Sequence, residues 1–446
     1  MLLLRSLSVG ALDETAVRTL TLEACVKEAL SRSPALAAAD ASRVAGEQKA
    51  SALRAQGAPK LSLDAQIRRL SEVPLLKPAP LAPAVEMGDN LNYSFGPQVQ
   101  WQFWDSGVRR HAVHGLARLA EARAAESEAV ENDVRWSVRR AYFQVLGAGE
   151  RLRSVADVLR LAQAQREDVR HRKDAGTASR QDWLQSEAET LGRLREFREA
   201  QADLGAALRA LYVLTRAPAP DLLRPLPRDL SQRRPTDVAP ATFVFECDTP
   251  KALRDSLKPA AARAFDADAP ELRAGALTAR AARETAASVR SGRGPALQLL
   301  ARSSRDYPNG PVHESVHQNT LGASARWPFF EGGRSVREAA EQEALARAAD
   351  ARRVQMEDER RAAWAQARDR LSGLEEEDEV QARLIERRRE IAETVHDAYR
   401  AGRASFLEVE TANTALLNAR VQGARLTVDI LTQLAGLDRL SAPEVP

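Results

Sequence analysis

Leu91-Asn92-Tyr93-Ser94-Phe95-Gly96-Pro97-Gln98-Val99-Gln100-Trp101-Gln102-Phe103 runs straight into Trp104-Asp105-Ser106-Gly107, and from Asp105 to Lys173 there is no proline. The first run alternates apolar and polar residues, the period of a strand with two unlike faces. The second has the period of a helix, and at about 1.5 Å per residue it reaches roughly 100 Å. A strand about as long as a bilayer is thick, feeding a helix far longer than a domain core, is the feature that decides the fold.

The junction occurs twice. Trp101-Gln102-Phe103-Trp104-Asp105-Ser106-Gly107 matches Trp327-Pro328-Phe329-Phe330-Glu331-Gly332-Gly333, at an offset of 226 in the numbering. Ala175-Gly176-Thr177-Ala178-Ser179 matches Ala401-Gly402-Arg403-Ala404-Ser405, and Leu208 and Leu211 match Leu434 and Leu437, at the same offset. Upstream, Ser33-Pro34-Ala35-Leu36 matches Ala269-Pro270-Glu271-Leu272, and Pro59-Lys60-Leu61-Ser62-Leu63 matches Pro295-Ala296-Leu297-Gln298-Leu299, both at an offset of 236. Two constant offsets mark a duplication, the first thing to look for in a long chain. The change from 236 to 226 assigns ten extra residues to the first copy. Pro74 to Pro83, with four prolines, reads as an inserted loop, because proline continues neither a ladder nor a helix.

Each copy opens with a helix. Thr21 caps the first one, Pro34 interrupts it, and Gly57 and Pro59 stop the Ala-rich continuation. In the second copy the helix runs from Pro270 to Arg290. Alternating strands follow at about 61–70 and 91–103, and again at about 297–305 and 318–329, each near the 9–11 residues with which a tilted strand crosses a bilayer. Such strands also suit a soluble sheet with one buried face, but one hairpin per copy is too few strands for stability in water. The long helix then shows a strict heptad seam at Val134, Val138, Ala141, Val145, Ala148, Leu152, Val155, Leu159 and Ala162. Trp364, Ala367, Leu371 and Leu374 repeat it until the acidic run Glu375–Glu379, which reads as a solvated face. Gly176 and Gly402 stop the long helices. A second helix returns from Arg180 to Arg216 and from Phe406 to Leu437, with an apolar stripe at Phe406, Val409, Ala412, Leu416, Val421, Ala424 and Val428. The expected organisation is an N-terminal segment (1–19), repeat 1 (20–217, tip 173–182), a Pro-rich connector (218–258), repeat 2 (259–438, tip 399–408) and a tail (439–446).

Composition bounds the function. The chain has 446 residues, 44% of them hydrophobic and 5% aromatic, and about 80 are alanine, the best helix former. This excludes a collagenous, disulfide-scaffold or disordered chain. No apolar run approaches the roughly 18 residues of a membrane helix, which leaves a β-barrel open. A net charge of +3, evenly spread, gives no footprint for nucleic acid. Met1-Leu2-Leu3-Leu4 is too short for a signal-peptide core of about 7–15 residues; the plain reading is a cytoplasmic start, and the alternative is a start that lacks its signal. For Cys25 and Cys247 two inert thiols are favoured over a disulfide. The histidine pairs His111/His114 and His313/His317 fall short of the three or four ligands of a metal site. No catalytic constellation and no phosphate-binding glycine loop is present, so no enzyme activity, cofactor or metal is expected.

The order helix, β-hairpin, long helix, tip, helix, twice over, resembles the TolC-like outer-membrane efflux channels from about Leu20 to Leu437. The most specific residues are Leu20-Thr21-Leu22-Glu23-Ala24 leading to Pro34, Trp327 through Arg334, and Tyr399-Arg400-Ala401-Gly402-Arg403-Ala404-Ser405-Phe406-Leu407-Glu408-Val409 with Ala415-Leu416-Leu417-Asn418-Ala419-Arg420. The resemblance implies a mainly α fold with a small β part. It implies a homotrimer with a 12-stranded outer-membrane barrel and a periplasmic helical barrel. It further implies a passive exit duct of a tripartite efflux or secretion system, working with a periplasmic adaptor and an inner-membrane transporter. The first copy departs at its tip, with Lys173 for Tyr399 and Arg180-Gln181 for Phe406-Leu407.

On this reading Asp182 and Glu408 are candidates for a carboxylate ring at the periplasmic aperture; an ordinary first-turn helix carboxylate is the competing role. Gly176, Thr177, Ser179, Gly402, Arg403 and Ser405 are the tip and adaptor-contact candidates. Leu61, Leu63, Tyr93, Phe95, Trp101, Phe103, Leu297, Leu299 and Trp327 are the lipid-facing candidates. The rival from another class is a soluble coiled-coil scaffold, which accounts for the heptads but not for four duplicated amphipathic strands. A metal-binding periplasmic protein rests only on the histidine pairs.

Overall fold

A computed structural model describes residues 18–76, 85–216, 245–328 and 330–442. In chain order the elements are β1 (Arg18–Leu20), α1 (Leu22–Arg32), α2 (Pro34–Ala55), β2 (Lys60–Arg69), β3 (Leu75–Leu76), β4 (Val85–Glu86), β5 (Leu91–Trp104), α3 (Val108–Asp174) and α4 (Arg180–Thr215). They continue with β6 (Phe245–Cys247), α5 (Pro250–Leu257), α6 (Pro259–Ala262), α7 (Pro270–Ser291), β7 (Ala296–Tyr307), β8 (Val316–Arg326), α8 (Arg334–Arg400) and α9 (Phe406–Leu440). Residues 1–17, 77–84, 217–244, 329 and 443–446 lie outside the described residues, and with them most of the N-terminal segment, part of the insert, most of the connector and part of the tail. The fold is mostly helical and two-fold repetitive: α3 and α8 are each 67 residues long. No described helix is long and apolar enough to cross a membrane.

The chain forms two compact units. One comprises Ala38–Glu128 and Pro270–Glu357. Its four long strands make a single antiparallel sheet in the order β2-β5-β7-β8, so the hairpins of the two repeats are joined through β5 and β7. Gly96 is needed in the middle of β5, because a Cβ there would run into the Ser303 carbonyl oxygen of β7. The two-residue strand β3 lies inside the insert, where the sequence reads as loop, and pairs antiparallel with β4 just beyond it. The strand expected at about 318–329 ends at Arg326. Pro328 has no N–H to continue the ladder, and Trp327 instead donates its Nε1 hydrogen to the Arg293 carbonyl at 3.0 Å. Trp101 makes the equivalent bond to the Gly57 carbonyl at 2.9 Å. In the same unit Ser288 Oγ donates to the Val108 carbonyl, holding α7 to the start of α3, and His111 Nδ1 lies 2.8 Å from Glu284 Oε2.

The other unit comprises Met1–Ala37, Ala129–Ala269 and Asp358–Pro446. It holds the main core, with Val138, Val145, Leu152, Val155 and Leu159 of the heptad seam buried and Val134 and Ala148 packed against them. Ala at alternate seam positions allows close helix approach. Leu208, Leu211, Leu434 and Leu437, the matched pairs of the two repeats, are buried. On α9 the expected stripe holds for Phe406, Val409 and Ala412 but then moves. Leu417, Leu426, Ile430 and Leu431 are buried, while Leu416, Val421, Ala424 and Val428 are half-buried. The late part of α9 is covered on more than one side, so a single stripe no longer describes it. The acidic run is partly engaged, Arg254 of α5 reaching Asp378 at 2.7 Å and Glu375 at 3.4 Å. Asp438 sits between Arg139 and Arg263. Burial pushes its carboxyl up, but the two guanidinium groups more than reverse that and hold it below the usual range.

Candidate functional site: helix tips and sheet faces

Both long helices end in the same turn. Gly176 and Gly402 have φ of +75° and +70°, the left-handed region that glycine enters without steric cost. Thr177 N–H bonds back to the Arg172 carbonyl at 2.8 Å and Gly176 N–H to that of Lys173 at 2.9 Å. Arg403 and Gly402 repeat this on Ala398 and Tyr399. This is the Schellman closure of a helix C-terminus. The return helices start with capping boxes, in which a serine side chain accepts from the third residue's N–H while that residue's carboxylate accepts from the serine N–H. Ser179 and Asp182 form one box and Ser405 and Glu408 the other. The two aperture candidates therefore each hold a helix start. Asp182 Oδ2 accepts from Ser179 N at 3.0 Å and from Ser179 Oγ at 2.8 Å; Glu408 Oε2 accepts from Ser405 N at 3.0 Å. The spacing Ser-x-x-Asp/Glu is the sequence signal for this motif, and it gives the carboxylates a more specific duty than the dipole effect expected of any first-turn acid.

The two tips differ in what packs beneath the turn. In repeat 2 the Tyr399 and Phe406 rings meet edge to face at 6.2 Å. In repeat 1, Lys173 lies over the Trp183 ring at 5.2 Å, a cation on an aromatic face in place of an aromatic pair. Arg172 of the first tip covers Tyr399 of the second at 5.0 Å, so the tips lie side by side. Burial pushes the Tyr399 hydroxyl up, Arg172 opposes this, and Asp168 and Asp182 add to it.

Above the tips lies a charge cluster that no sequence pattern announces. Arg193 of α4, its side chain 8% exposed, contacts Glu189 at 2.6 Å, Glu196 at 3.0 Å and Glu410 of α9 at 3.9 Å, and bonds to Thr414 Oγ1. Three carboxyls share one guanidinium. Burial pushes the Glu410 carboxyl up to about 8, with Glu189 adding by hydrogen bond and charge and Arg193 opposing. The repeat-equivalent of Arg193 is Ala419, so comparison of the two copies carries no signal for it.

The register separates the sheet's two faces. Leu61 pairs with Val99 and Ile67 with Tyr93, Val99 with Ala301 and Trp101 with Leu299, and Ala301 with Leu321 and Leu299 with Ala323. Directly opposed residues share a face, so these side chains form one apolar surface together with Leu63 and Phe95. It is open to solvent in the single chain: Leu61 is 75%, Ile67 77% and Leu321 83% exposed. The opposite face carries Ser62, Gln98, Arg302 and Thr320 in one row and Gln66, Ser94 and Asp306 in another, with Ser94 Oγ donating to Asp306 at 2.6 Å. A bulge between Gln102 and Trp104 puts Trp104 opposite Leu297 and leaves Phe103 without a partner on β7. Eight of the nine lipid-facing candidates thus lie on strands of this sheet, and Trp327 lies one residue beyond it. The edge strands β2 and β8 each have one strand neighbour among the described residues.

Residues 25–215 and 264–442 match a family model described as outer membrane efflux protein. No curated protein matches the chain. Among solved structures it is similar to the outer-membrane channel OprN, at 20% identity over 94% of this chain and 89% of that one, TM-score 0.71. It is similar to the outer membrane protein VceC of Vibrio cholerae, at 19% identity over 94% and 95%, TM-score 0.71. It is also similar to the open state of the MtrE outer membrane channel of Neisseria gonorrhoeae, at 17% identity over 94% and 88%, TM-score 0.71. At these identities the likeness carries the fold.

Proposed function

Since the chain belongs to the outer membrane efflux protein family, we propose that it is the exit duct of a tripartite efflux or secretion system, a homotrimer anchored in the outer membrane and reaching into the periplasm. The sheet is the observation that carries this reading. A four-stranded sheet with one exposed apolar face, one polar face and two open edges is not a finished structure in water, since bare edges and apolar patches invite association. Three copies, β8 of each pairing with β2 of the next, make a closed 12-stranded barrel in which every backbone group is bonded, as lipid requires. The apolar face then meets lipid and the polar face with Arg302, Ser94 and Asp306 lines water.

The helix tips are the periplasmic end of this duct, where a ring of Asp182 and Glu408 carboxylates biases the opening toward cations. The turns at Gly176, Thr177, Ser179, Gly402, Arg403 and Ser405 meet a periplasmic adaptor, which connects the duct to an inner-membrane transporter. The chain supplies passage and no catalytic step.

Cell fractionation with electrophoresis of unboiled samples tests this. Recovery in the outer membrane as a trimer that dissociates on heating, and that conducts ions in planar bilayers, is the expected result. A freely soluble species overturns it and favours the coiled-coil scaffold.

A further inference from the structure

Two segments far apart in sequence are bolted together in the core-bearing unit. β1 and β6 pair in parallel, with Leu20 opposite Cys247. The next residue on one side, Thr21, caps α1, whose first turn carries Cys25. The next on the other side, Asp248, reaches back: its Oδ2 accepts from the Leu22 N–H at 2.7 Å. Tyr142 of α3, fully buried, closes the joint, its hydroxyl donating to the Leu20 carbonyl at 2.6 Å and accepting from the Asp248 N–H at 3.0 Å. Cys25 and Cys247 are the chain's two cysteines. Both are free thiols in this structure, Cys25 buried and Cys247 half-buried, both belong to the apolar cluster that runs through this unit, and among the described residues no group of side chains that could hold a metal is found.

From this placement we propose that Cys25 and Cys247 are joined by an intrachain disulfide in the mature protein, clipping the start of repeat 1 to the chain that leads into repeat 2. The proposal rests on the envelope location argued above, because such bonds persist outside the reducing cytoplasm. The oxidant is a protein disulfide donor of that compartment. One cysteine thiolate attacks the donor's disulfide, whose S–S bond breaks and releases one donor thiol. The second cysteine thiolate attacks the mixed disulfide and releases the other. The Cys25–Cys247 bond has then formed, two electrons have passed to the donor, and the two cysteine protons reside on its two thiols.

Timing follows from burial. In the folded chain burial pushes the Cys25 thiol up to about 12, with Cys247 close enough to add to the push, and the Cys247 thiol up to about 11. Neither is then a nucleophile at neutral pH. The bond is therefore made while the joint is still open, and burial afterwards shields it from exchange.

The test uses native protein recovered from the membrane fraction of the cells that make it, denatured in N-ethylmaleimide at once, and weighed as the intact chain before and after reduction. No adduct before reduction, two after it, and a reductant-sensitive peptide containing both cysteines are expected. Two adducts before reduction on outer-membrane protein overturn the disulfide and leave the channel reading standing. Two adducts on protein found only in the cytosol overturn both. A reductant-sensitive dimer overturns the intrachain bond. In Cys25→Ala protein, labelled after denaturation and so whether or not it folds well, Cys247 should take one adduct without reductant; none would show that its partner is something other than Cys25.

Discussion

Asp182 and Glu408 show how one side chain serves the fold while remaining available for function. Each closes a capping box, and Asp182 also accepts the Ser179 hydroxyl hydrogen. Removing an N-cap side chain costs about 1 kcal/mol, whereas an amide at the third position keeps an acceptor oxygen and loses only the charge. The two roles therefore separate experimentally. The charge-neutral pair Asp182→Asn with Glu408→Gln should lower cation selectivity, read as a shift in reversal potential across a planar bilayer under a salt gradient, with little change in thermal stability. The cap-deleting pair Ser179→Ala with Ser405→Ala should do the opposite. Equal selectivity in wild type and the amide pair would leave the carboxylates with the capping role alone. The capping role is readable in the sequence from the Ser-x-x-acid spacing. The neighbourhood is less so: that Arg172 covers Tyr399 depends on tips from different repeats coming side by side, which no local spacing encodes.

Between α4 and α9 the coupling is electrostatic, and its pH dependence has a definite sign. Glu410 is held up to about 8 against an ordinary value of 4.5. The unfolded chain releases that proton at lower pH than the folded one does, so the protonated carboxyl's contribution is complete below about 4.5 and is lost as pH rises through about 8. The α4–α9 contact around Arg193 should loosen over that window, seen as faster amide hydrogen exchange in Glu189–Phe197 and Glu410–Leu417 at pH 8 than at pH 5, corrected for intrinsic rates. Glu410→Gln should abolish the difference, and a difference that survives the substitution would place its origin elsewhere. Elements such as these are legible to the degree that one period governs them. The seam of α3 is readable from Val134 to Ala162, although Tyr142, Phe143 and Leu146 beside it are buried as well. The stripe of α9 fails after Ala412, because a helix buried on several sides carries no single moment. The three-residue strands β1 and β6 are too short to show any period. The joining of two hairpins into one sheet rests on β5 of one repeat meeting β7 of the other, a contact set by tertiary closure.

For the whole molecule the composition points toward a water-soluble helical protein, with few aromatics and no apolar run, and this follows from where the apolar area lies. Four strands of 10, 14, 12 and 11 residues carry the bilayer-sized alternation, and only every second residue of each lies on the apolar face. Among the described residues the rest is mostly helix, whose hydrophobic residues lie on its own seams. That division makes the faces of the sheet separately testable. Leu321 and Thr320 are neighbours on β8 with side chains on opposite faces, and Leu321 is 83% exposed in the single chain. A charge at Leu321 thus disturbs no packing within the protomer. If its face meets lipid, Leu321→Arg should cost up to about 2–4 kcal/mol in the assembled barrel, depending on depth, and should lower the temperature at which the trimer dissociates in detergent-solubilised outer membranes. Thr320→Arg adds the same side chain to the polar face beside Arg302 and, if that face lines water, should leave the trimer intact while shifting conductance toward anions. Were Leu321→Arg tolerated and Thr320→Arg disruptive, the face carrying Leu321 would be the one open to water, and the lipid-facing role of that face would fall.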